Sequence, residues 1–101
     1  MVHKSADAAE VATACTRGAF EYQGQKCSAA SRAYIPSNIW GEVKSIMIDH
    51  VSSFKMGSPE DTSNFINAVI SEAAFDKIAG YIDFIKGQAD AEIIVGGNYD
   101  K

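Results

Sequence analysis

Residues 20–32 read FEYQGQKCSAASR and place one cysteine, Cys27, between a glycine turn and a run of small residues. Gly24 lets the chain turn sharply just before the cysteine, and Lys26 stands next to it in the chain. A neighbouring cation and unpaired backbone N–H groups both favour the thiolate, which is the nucleophilic form of cysteine. Residues 28–30 are small enough to begin a helical turn whose amides face the sulfur. The stretch therefore predicts a reactive thiol at Cys27, with a buried and inert cysteine as the alternative.

The segment before this stretch has the pattern of an amphipathic helix. Asp7 is a suitable N-cap, and Glu10 follows three residues later, as in a capping box. Small and apolar residues then recur at helical spacing, namely Ala8, Val11, Ala12, Cys15 and Ala19. We expect a helix that starts after Asp7, runs to about Tyr22 and stops at Gly24. Cys15 belongs to the apolar face of this helix, which indicates a core position and not a chemical role.

Short strands are predicted on both sides of the middle of the chain. Residues 31–35 form a strand that ends at Pro36, and residues 92–95 form another. Residues 65–70 are apolar and short, which fits a strand or an extended connection. Because strands joined by helical crossovers indicate a parallel sheet, the predicted fold class is α/β. A parallel sheet needs several strands, so we expect this chain to be part of a larger domain.

Two more helices lie between and after these strands. Ser37 caps the first, and Ser71 caps the second, which ends near Gly87. Their predicted core stripes are Trp40, Val43, Met47, Val51 and Phe54 in the first and Phe75, Ile78, Ile82 and Ile85 in the second. Residues 56–64 are dense in turn formers and form a loop between the two helices.

Composition places the chain among globular proteins, because 47% of its 101 residues are hydrophobic and 22% are charged. A net charge of −4 without a basic cluster argues against a nucleic-acid partner. No apolar run is long enough to span a membrane, and the start of the chain lacks the pattern of a signal or transit peptide. The two cysteines have no CxxC spacing, and His3 and His50 lack the spacing of a metal site. We expect a reducing compartment and no metal.

The stretch around Cys27 resembles the nucleophile segment of the aldehyde dehydrogenase superfamily. In that segment a helix ends in Phe, a Gly-Gln-x-Cys loop follows, and small residues lead through an Arg into a strand. Phe20, residues 24–27 and residues 28–32 have the same order. The resemblance implies a partial aldehyde dehydrogenase catalytic domain, with helices alternating with the strands of a parallel sheet.

Other segments resemble one branch of this superfamily, the 1-pyrroline-5-carboxylate dehydrogenases, which oxidise L-glutamate γ-semialdehyde in proline catabolism. Residues 2–7 resemble the start of the preceding helix in that branch, and residues 19–22 and 25–29 resemble its version of the loop. Residues 68–70 and Gly96–Gly97 fall where the branch has them. The resemblance covers essentially the whole chain.

The resemblance implies roles for residues of the loop. Cys27 is the expected catalytic nucleophile, which attacks the aldehyde carbonyl to give a thiohemiacetal and then a thioester. Lys26 and Ser28 are expected to contact substrate, with simple exposure of Lys26 and a capping role of Ser28 as structural alternatives. Gln25 is expected to brace the loop. In the family the general base is a glutamate that lies upstream of this region. The side-chain amide that completes the oxyanion hole also lies upstream. No residue of this chain is therefore assigned either role.

The resemblance also implies NAD as the cofactor, bound by a separate domain. No G-x-G-x-x-G follows a strand here, so no cofactor-binding residue is expected in this chain. Residues 1–101 are expected to be part of the nucleophile-bearing catalytic domain, without the cofactor domain or oligomerisation segment, and inactive alone. The full-length protein is expected to be a homo-oligomer that acts on a small-molecule aldehyde. Its expected location is the mitochondrial matrix in a eukaryote and the cytoplasm otherwise. An aldehyde dehydrogenase of another substrate class and a non-catalytic α/β module stay open as alternatives.

Overall fold

The computed structural model describes the whole chain, Met1–Lys101, and contains three α-helices. In chain order they are α1 (Ala8–Phe20), α2 (Ser37–Ser52) and α3 (Glu72–Lys86). None of them has the length and apolar character that crossing a membrane requires. The chain divides into two compact units, Met1–Ala68 with α1 and α2, and Val69–Lys101 with α3.

Helices α1 and α2 pack against each other and form the core of the first unit. Ala8 and Ala12 of α1 are buried with Val43 of α2, which is completely enclosed. The small alanine side chains let the two helices approach closely. Around this centre lie partly buried apolar side chains, namely Val11, Ile35, Ile39, Ile46 and Met47. The stripes predicted for α1 and α2 are confirmed at their centres, whereas Trp40 lies at the edge of the core and is 37% exposed. The core stripe predicted for α3, residues Phe75, Ile78, Ile82 and Ile85, is wrong for this chain, because none of its members is buried and no neighbouring element covers α3.

The helix starts follow the local sequence signals with one exception. The side chains of Asp7 and Ser71 each accept the backbone N–H of the third residue beyond, at 3.0 and 3.1 Å, as N-caps do. At α2 the N-cap position is held by Pro36 in an extended conformation, and Ser37 is already the first helical residue. The prediction that Ser37 caps α2 is therefore wrong by one residue. The fixed φ of proline suits this boundary without a side-chain cap.

The predicted parallel sheet is not formed by this chain. Residues 31–35 and 92–95 form no strand, and residues 65–70 contribute only an isolated parallel bridge, between Met56 and Ile66. A strand exists only where a neighbouring strand takes its hydrogen bonds, and neither segment has such a neighbour among the 101 residues. The 101 residues therefore do not form the predicted strands by themselves, while all three predicted helices are confirmed.

In the second unit the C-terminal tail folds back along α3. The ring of Tyr99 meets that of Phe75 edge-on at 5.8 Å, and its hydroxyl donates to the carboxylate of Asp83 at 2.8–2.9 Å. The ammonium of Lys101 pairs with two carboxylates of α3 at 2.7 and 2.9 Å. These contacts lie at the surface, and α3 has no buried residue.

Burial is sparse in both units. Only Ala8, Ala12, Thr16 and Val43 are buried, and all four belong to the first unit. Large apolar side chains remain exposed in the second, among them Ile70 at 87%. A helix of 15 residues without a buried face is marginal in water, because its stability normally comes from packing.

We therefore expect the isolated 101-residue polypeptide to unfold without a cooperative transition. In a urea titration followed by far-ultraviolet circular dichroism, its helical signal should decline gradually from the first addition. A sigmoidal loss with a slope of about 1 kcal/mol/M or more, as in small two-state domains, would show that this expectation is wrong.

Candidate active site

Cys27 lies in an exposed turn that follows α1. The N–H of Ala29 donates to the carbonyl oxygen of Lys26 at 2.9 Å, so Cys27 and Ser28 occupy the two central positions of a β-turn. Both side chains are exposed, and neither belongs to a helix. The turn therefore presents the thiol of Cys27 at the surface of the first unit.

The chain after this turn runs back along α1 and does not form the helical turn predicted over residues 28–30. The N–H of Ala30 donates to the carbonyl oxygen of Gly18 at 2.9 Å. This bond uses the amide that would have closed a helical turn onto Lys26, and it satisfies a carbonyl at the open end of α1. The prediction of helix amides aimed at the sulfur is therefore wrong.

Helix α1 ends at Phe20, two residues earlier than predicted, because the backbone next becomes left-handed. Tyr22, Gln23 and Gly24 have φ values of 54°, 58° and 68° within the short 3-10 segment Glu21–Gly24. The left-handed conformation costs a non-glycine residue roughly 1–2 kcal/mol. At Gly24 a Cβ would also come 2.9 Å from the carbonyl oxygen of Ala19. The helix therefore ends before Gly24, and what the structure confirms is the sharp turn predicted at this glycine, whose neighbours Tyr22 and Gln23 hold a strained backbone.

Hydrogen bonds support this strained loop from both sides. The side-chain amide of Gln23 donates to the carbonyl oxygen of Ala68 at 3.3 Å, which ties the loop to a distant segment of the same unit. The N–H of Gln25 donates to the carbonyl oxygen of Tyr22 at 3.0 Å, and its side-chain amide reaches the same oxygen at 3.4 Å. Gln25 therefore braces the loop, as the sequence predicts.

Glu21 joins the end of α1 to the residue before Cys27. Its Oε1 accepts from Arg17 Nε at 2.6 Å and pairs with a second guanidinium nitrogen, while its Oε2 pairs with Lys26 Nζ at 3.0 Å. The hydrogen bonds from Lys26 and Arg17 hold the pKa of the Glu21 carboxyl below its usual range. The carboxylate is ionised at neutral pH, and the lowered pKa keeps it paired with its two cations to more acidic pH than an ordinary glutamate would allow.

The two residues that flank Cys27 differ in how they are engaged. The sequence predicts a cation beside the thiol, and the structure gives the Lys26 ammonium a partner in Glu21. Ser28 is exposed and caps no turn through its side chain, which removes the structural alternative considered for it. Substrate contact by Lys26 and Ser28 remains a prediction.

The second cysteine, Cys15, is half-buried on α1. It borders the core without belonging to it, because the neighbouring position on the helix, Thr16, is the one that is fully enclosed. Cys15 is less accessible than Cys27, as predicted, but it is not buried in the core as the sequence pattern indicates.

A groove of about 270 Å³ opens beside α1 in the first unit. It is lined by Thr13, Thr16, Arg17, His50, Ser53, Phe54 and Phe65. The hydroxyl of Thr16 is buried and has no hydrogen-bond partner, which sequence analysis did not anticipate. Cys27 does not line this groove. No group of three or more His, Cys, Asp or Glu side chains is placed to hold a metal ion.

The sequence of this chain is similar to known proteins along its entire length. The model of the aldehyde dehydrogenase family matches residues 1–101. A protein of Dictyostelium discoideum named delta-1-pyrroline-5-carboxylate dehydrogenase, mitochondrial, is 50% identical over 99 residues, which are 98% of this chain and 18% of that protein. The Homo sapiens protein of the same name is 39% identical over 100 residues, with the same two coverages.

The backbone of this chain is also similar to that of a solved structure. The delta-pyrroline-5-carboxylate dehydrogenase from Mycobacterium tuberculosis, solved bound with NAD and cobalamin, matches with a TM-score of 0.93 and 41% identity over 97% of this chain and 18% of that one. The chain thus spans less than a fifth of the length of the relatives it matches. Because the family model covers every residue and the backbone agrees with a solved relative, the chain belongs to the aldehyde dehydrogenase family.

Proposed function

We propose that this chain is part of the catalytic domain of an NAD-dependent dehydrogenase that oxidises L-glutamate γ-semialdehyde to glutamate, with Cys27 as the nucleophile. The observation that carries the proposal is the exposed thiol of Cys27 in a turn fastened to the end of α1. The relatives named above support the choice of substrate, since their names specify pyrroline-5-carboxylate, the cyclic form of this aldehyde.

The geometry of the turn suits attack on a carbonyl group. The Cys27 thiolate forms a carbon–sulfur bond to the aldehyde carbon, and the carbonyl π electrons move to oxygen as an oxyanion. The N–H groups of Cys27 and Ser28 make no hydrogen bond within the chain, so they are free to donate to that oxygen. The product of this step is a thiohemiacetal held at the turn.

Ser28 and Lys26 are the proposed substrate contacts of this chain. The hydroxyl of Ser28 follows the nucleophile and is exposed, so it can donate to the carboxylate of the semialdehyde. Lys26 carries the matching charge, but its ammonium already pairs with Glu21 and would have to be shared between Glu21 and the substrate carboxylate. On this basis the contact from Ser28 needs less rearrangement than the contact from Lys26.

The general base and the amide of the oxyanion hole are proposed to lie outside this chain. Glu21 is the acidic residue nearest to Cys27 in the loop, but its carboxylate is occupied by two cations. A carboxylate whose pKa is lowered by such partners is a weak base, so Glu21 is unsuited to activate water.

Residues 1–101 offer no cradle for a dinucleotide. Gly96 and Gly97 have left-handed backbones, with φ values of 77° and 74°, but no helix follows them among the 101 residues, and they do not complete a G-x-G-x-x-G pattern. They therefore lack the strand–turn–helix geometry that binds a pyrophosphate. We assign NAD binding to the remainder of the full-length protein, and the chemistry of the residues described here ends with the carbon–sulfur bond.

The same proposal accounts for the missing sheet. Residues 31–35 and 92–95 would become strands of a parallel sheet once neighbouring strands from the remainder of the catalytic domain take their hydrogen bonds. The exposed apolar side chains of α3 would be covered by the same domain. We further propose a homo-oligomeric full-length protein, located in the mitochondrial matrix if the source is a eukaryote, as the names of the eukaryotic relatives suggest, and in the cytoplasm otherwise.

Alkylation of the two cysteines tests the enzymatic proposal. In the full-length protein Cys27 should react with iodoacetamide at least about tenfold faster than Cys15, because Cys27 is the exposed thiol and the proposed nucleophile, whereas Cys15 is half-buried. Peptide mass spectrometry gives both rates, and NADH absorbance follows the activity in parallel. Activity should disappear at the rate at which Cys27 is modified. Equal, slow labelling of both thiols would favour a non-catalytic α/β module.

The alternative substrate class is separated by a comparison of aldehydes. If the proposal holds, kcat/KM for L-glutamate γ-semialdehyde should exceed that for an uncharged aldehyde of similar length. An uncharged aldehyde would leave the polar groups that bind the substrate carboxylate without a partner. A higher kcat/KM for the uncharged aldehyde would favour the alternative, an aldehyde dehydrogenase of another substrate class.

A further inference from the structure

We propose that Glu21 is a positioning residue for the Cys27 nucleophile, because its carboxylate fastens Lys26, the residue before Cys27, to the end of α1. This inference rests on the proposed function, in which Cys27 attacks the aldehyde. Glu21 itself touches no reacting atom, and its effect passes through Lys26.

The contacts of Glu21 span both ends of the loop that carries the nucleophile. One carboxylate oxygen holds the guanidinium of Arg17 in the last turn of α1, and the other holds the ammonium of Lys26 at 3.0 Å. The side chain of Glu21 is 29% exposed, against 66% for Arg17 and 46% for Lys26. The carboxylate is thus the inner member of the group, and the two cations shield it from water.

An isolated ion pair at a surface has little effect, and two features set this one apart. A single carboxylate is shared by two cations, so its orientation is defined from two directions. The loop that it closes also contains two non-glycine residues, Tyr22 and Gln23, in the left-handed conformation. Such a backbone persists only where surrounding contacts hold it. The bond to Lys26 is the last of these contacts before Cys27 along the chain.

The kinetic test uses the full-length protein with L-glutamate γ-semialdehyde and NAD. Glu21→Gln should lower kcat about tenfold or more with KM within about twofold of the unmodified protein, because a displaced nucleophile impairs the chemical step. Lys26→Gln should lower kcat by a similar factor, and it should also raise KM, because Lys26 is a proposed substrate contact. The double variant should lower kcat no further, since both changes break one link. The matched control is Glu10→Gln, in the first turn of the same helix, which should leave kcat unchanged.

Hydrogen exchange tests the positioning without relying on activity. The amides of Gln25 and Ala29 are hydrogen-bonded inside the loop, and Glu21→Gln should speed their exchange with solvent while Glu10→Gln does not. Unchanged exchange in peptides covering residues 21–29, or additive losses of kcat for Glu21 and Lys26, would overturn the inference. An unmodified protein that oxidises no aldehyde would overturn the proposed function, and exchange alone would then decide whether Glu21 orders the loop.

Discussion

Replacing Cys27 by serine in the full-length protein is expected to lower kcat for aldehyde oxidation at least about a thousandfold, because nucleophile replacements remove covalent catalysis as a whole. A serine hydroxyl fills the same place in the exposed turn, but at neutral pH it supplies far less anion than a thiol does. Nicotinamide binding should stay intact, since no residue of this chain is assigned to the cofactor. Steady-state NADH production and calorimetric titration with NAD measure the two properties separately.

The matched control for this prediction is Cys15→Ala. Cys15 is half-buried at the edge of the core, so its loss should cost about 1 kcal/mol of stability or less. We expect kcat to stay within about twofold of the unmodified protein. Turnover within about tenfold of normal in the Cys27→Ser variant would rule out Cys27 as the nucleophile, whatever the control shows.

The helices could be predicted because their signals are local. Asp7 and Ser71 cap α1 and α3 through contacts only three residues away, and apolar spacing locates the faces that pack. The strands could not be confirmed in the same way. Residues 31–35 and 92–95 have strand-like composition, but a strand needs hydrogen-bonding partners that none of the 101 residues provides. This difference explains why the helices of the predicted fold class are confirmed, whereas its sheet is not formed by these 101 residues.

In the candidate site, too, features that depend on neighbouring residues could be predicted, whereas one that depends on a long-range contact could not. The turn before Cys27 could be predicted from Gly24, and the structure decides between the exposed and the buried cysteine that the sequence left open. The helical turn predicted over residues 28–30 fails because a long-range bond, from Ala30 to Gly18, takes the amide that the helix needs. Such competition between local and long-range hydrogen bonds cannot be seen in a single stretch of sequence.

Two other features of the loop differ in how visible they are in the sequence. Arg17 and Glu21 stand four residues apart, which is the spacing of an ion pair on a helix, so half of the Glu21 network was open to prediction. The left-handed backbone at Tyr22 and Gln23 could not be predicted, because neither residue type favours that conformation. Its presence beside the proposed nucleophile agrees with the tendency of strained backbone to occur at functional sites.

Gly24→Ala is expected to produce the second large effect, on both stability and activity of the full-length protein. At φ 68° an alanine costs roughly 1–2 kcal/mol from its backbone conformation alone. Its Cβ would also come 2.9 Å from the carbonyl oxygen of Ala19, which is a backbone atom of α1 and not the end of a flexible side chain. The loop must therefore shift, and a shift of about 1 Å in the nucleophile can lower the rate about a hundredfold.

Two further variants separate the causes of this effect. Gly41→Ala is the control, because Gly41 lies within α2 and an added Cβ there meets no atom within 4 Å; it should raise stability by about 0.5–1 kcal/mol. Gly24→Asn keeps the contact with Ala19 but tolerates the left-handed backbone. If Asn and Ala at position 24 lower kcat equally, the close contact decides the effect, and if Asn restores most of kcat, the backbone conformation does. Thermal unfolding and NADH production measure all three variants.

An alanine variant at position 24 with kcat and unfolding temperature both unchanged would contradict this prediction. It would mean that the turn before Cys27 does not need a glycine, and the geometry assigned to the nucleophile would be wrong.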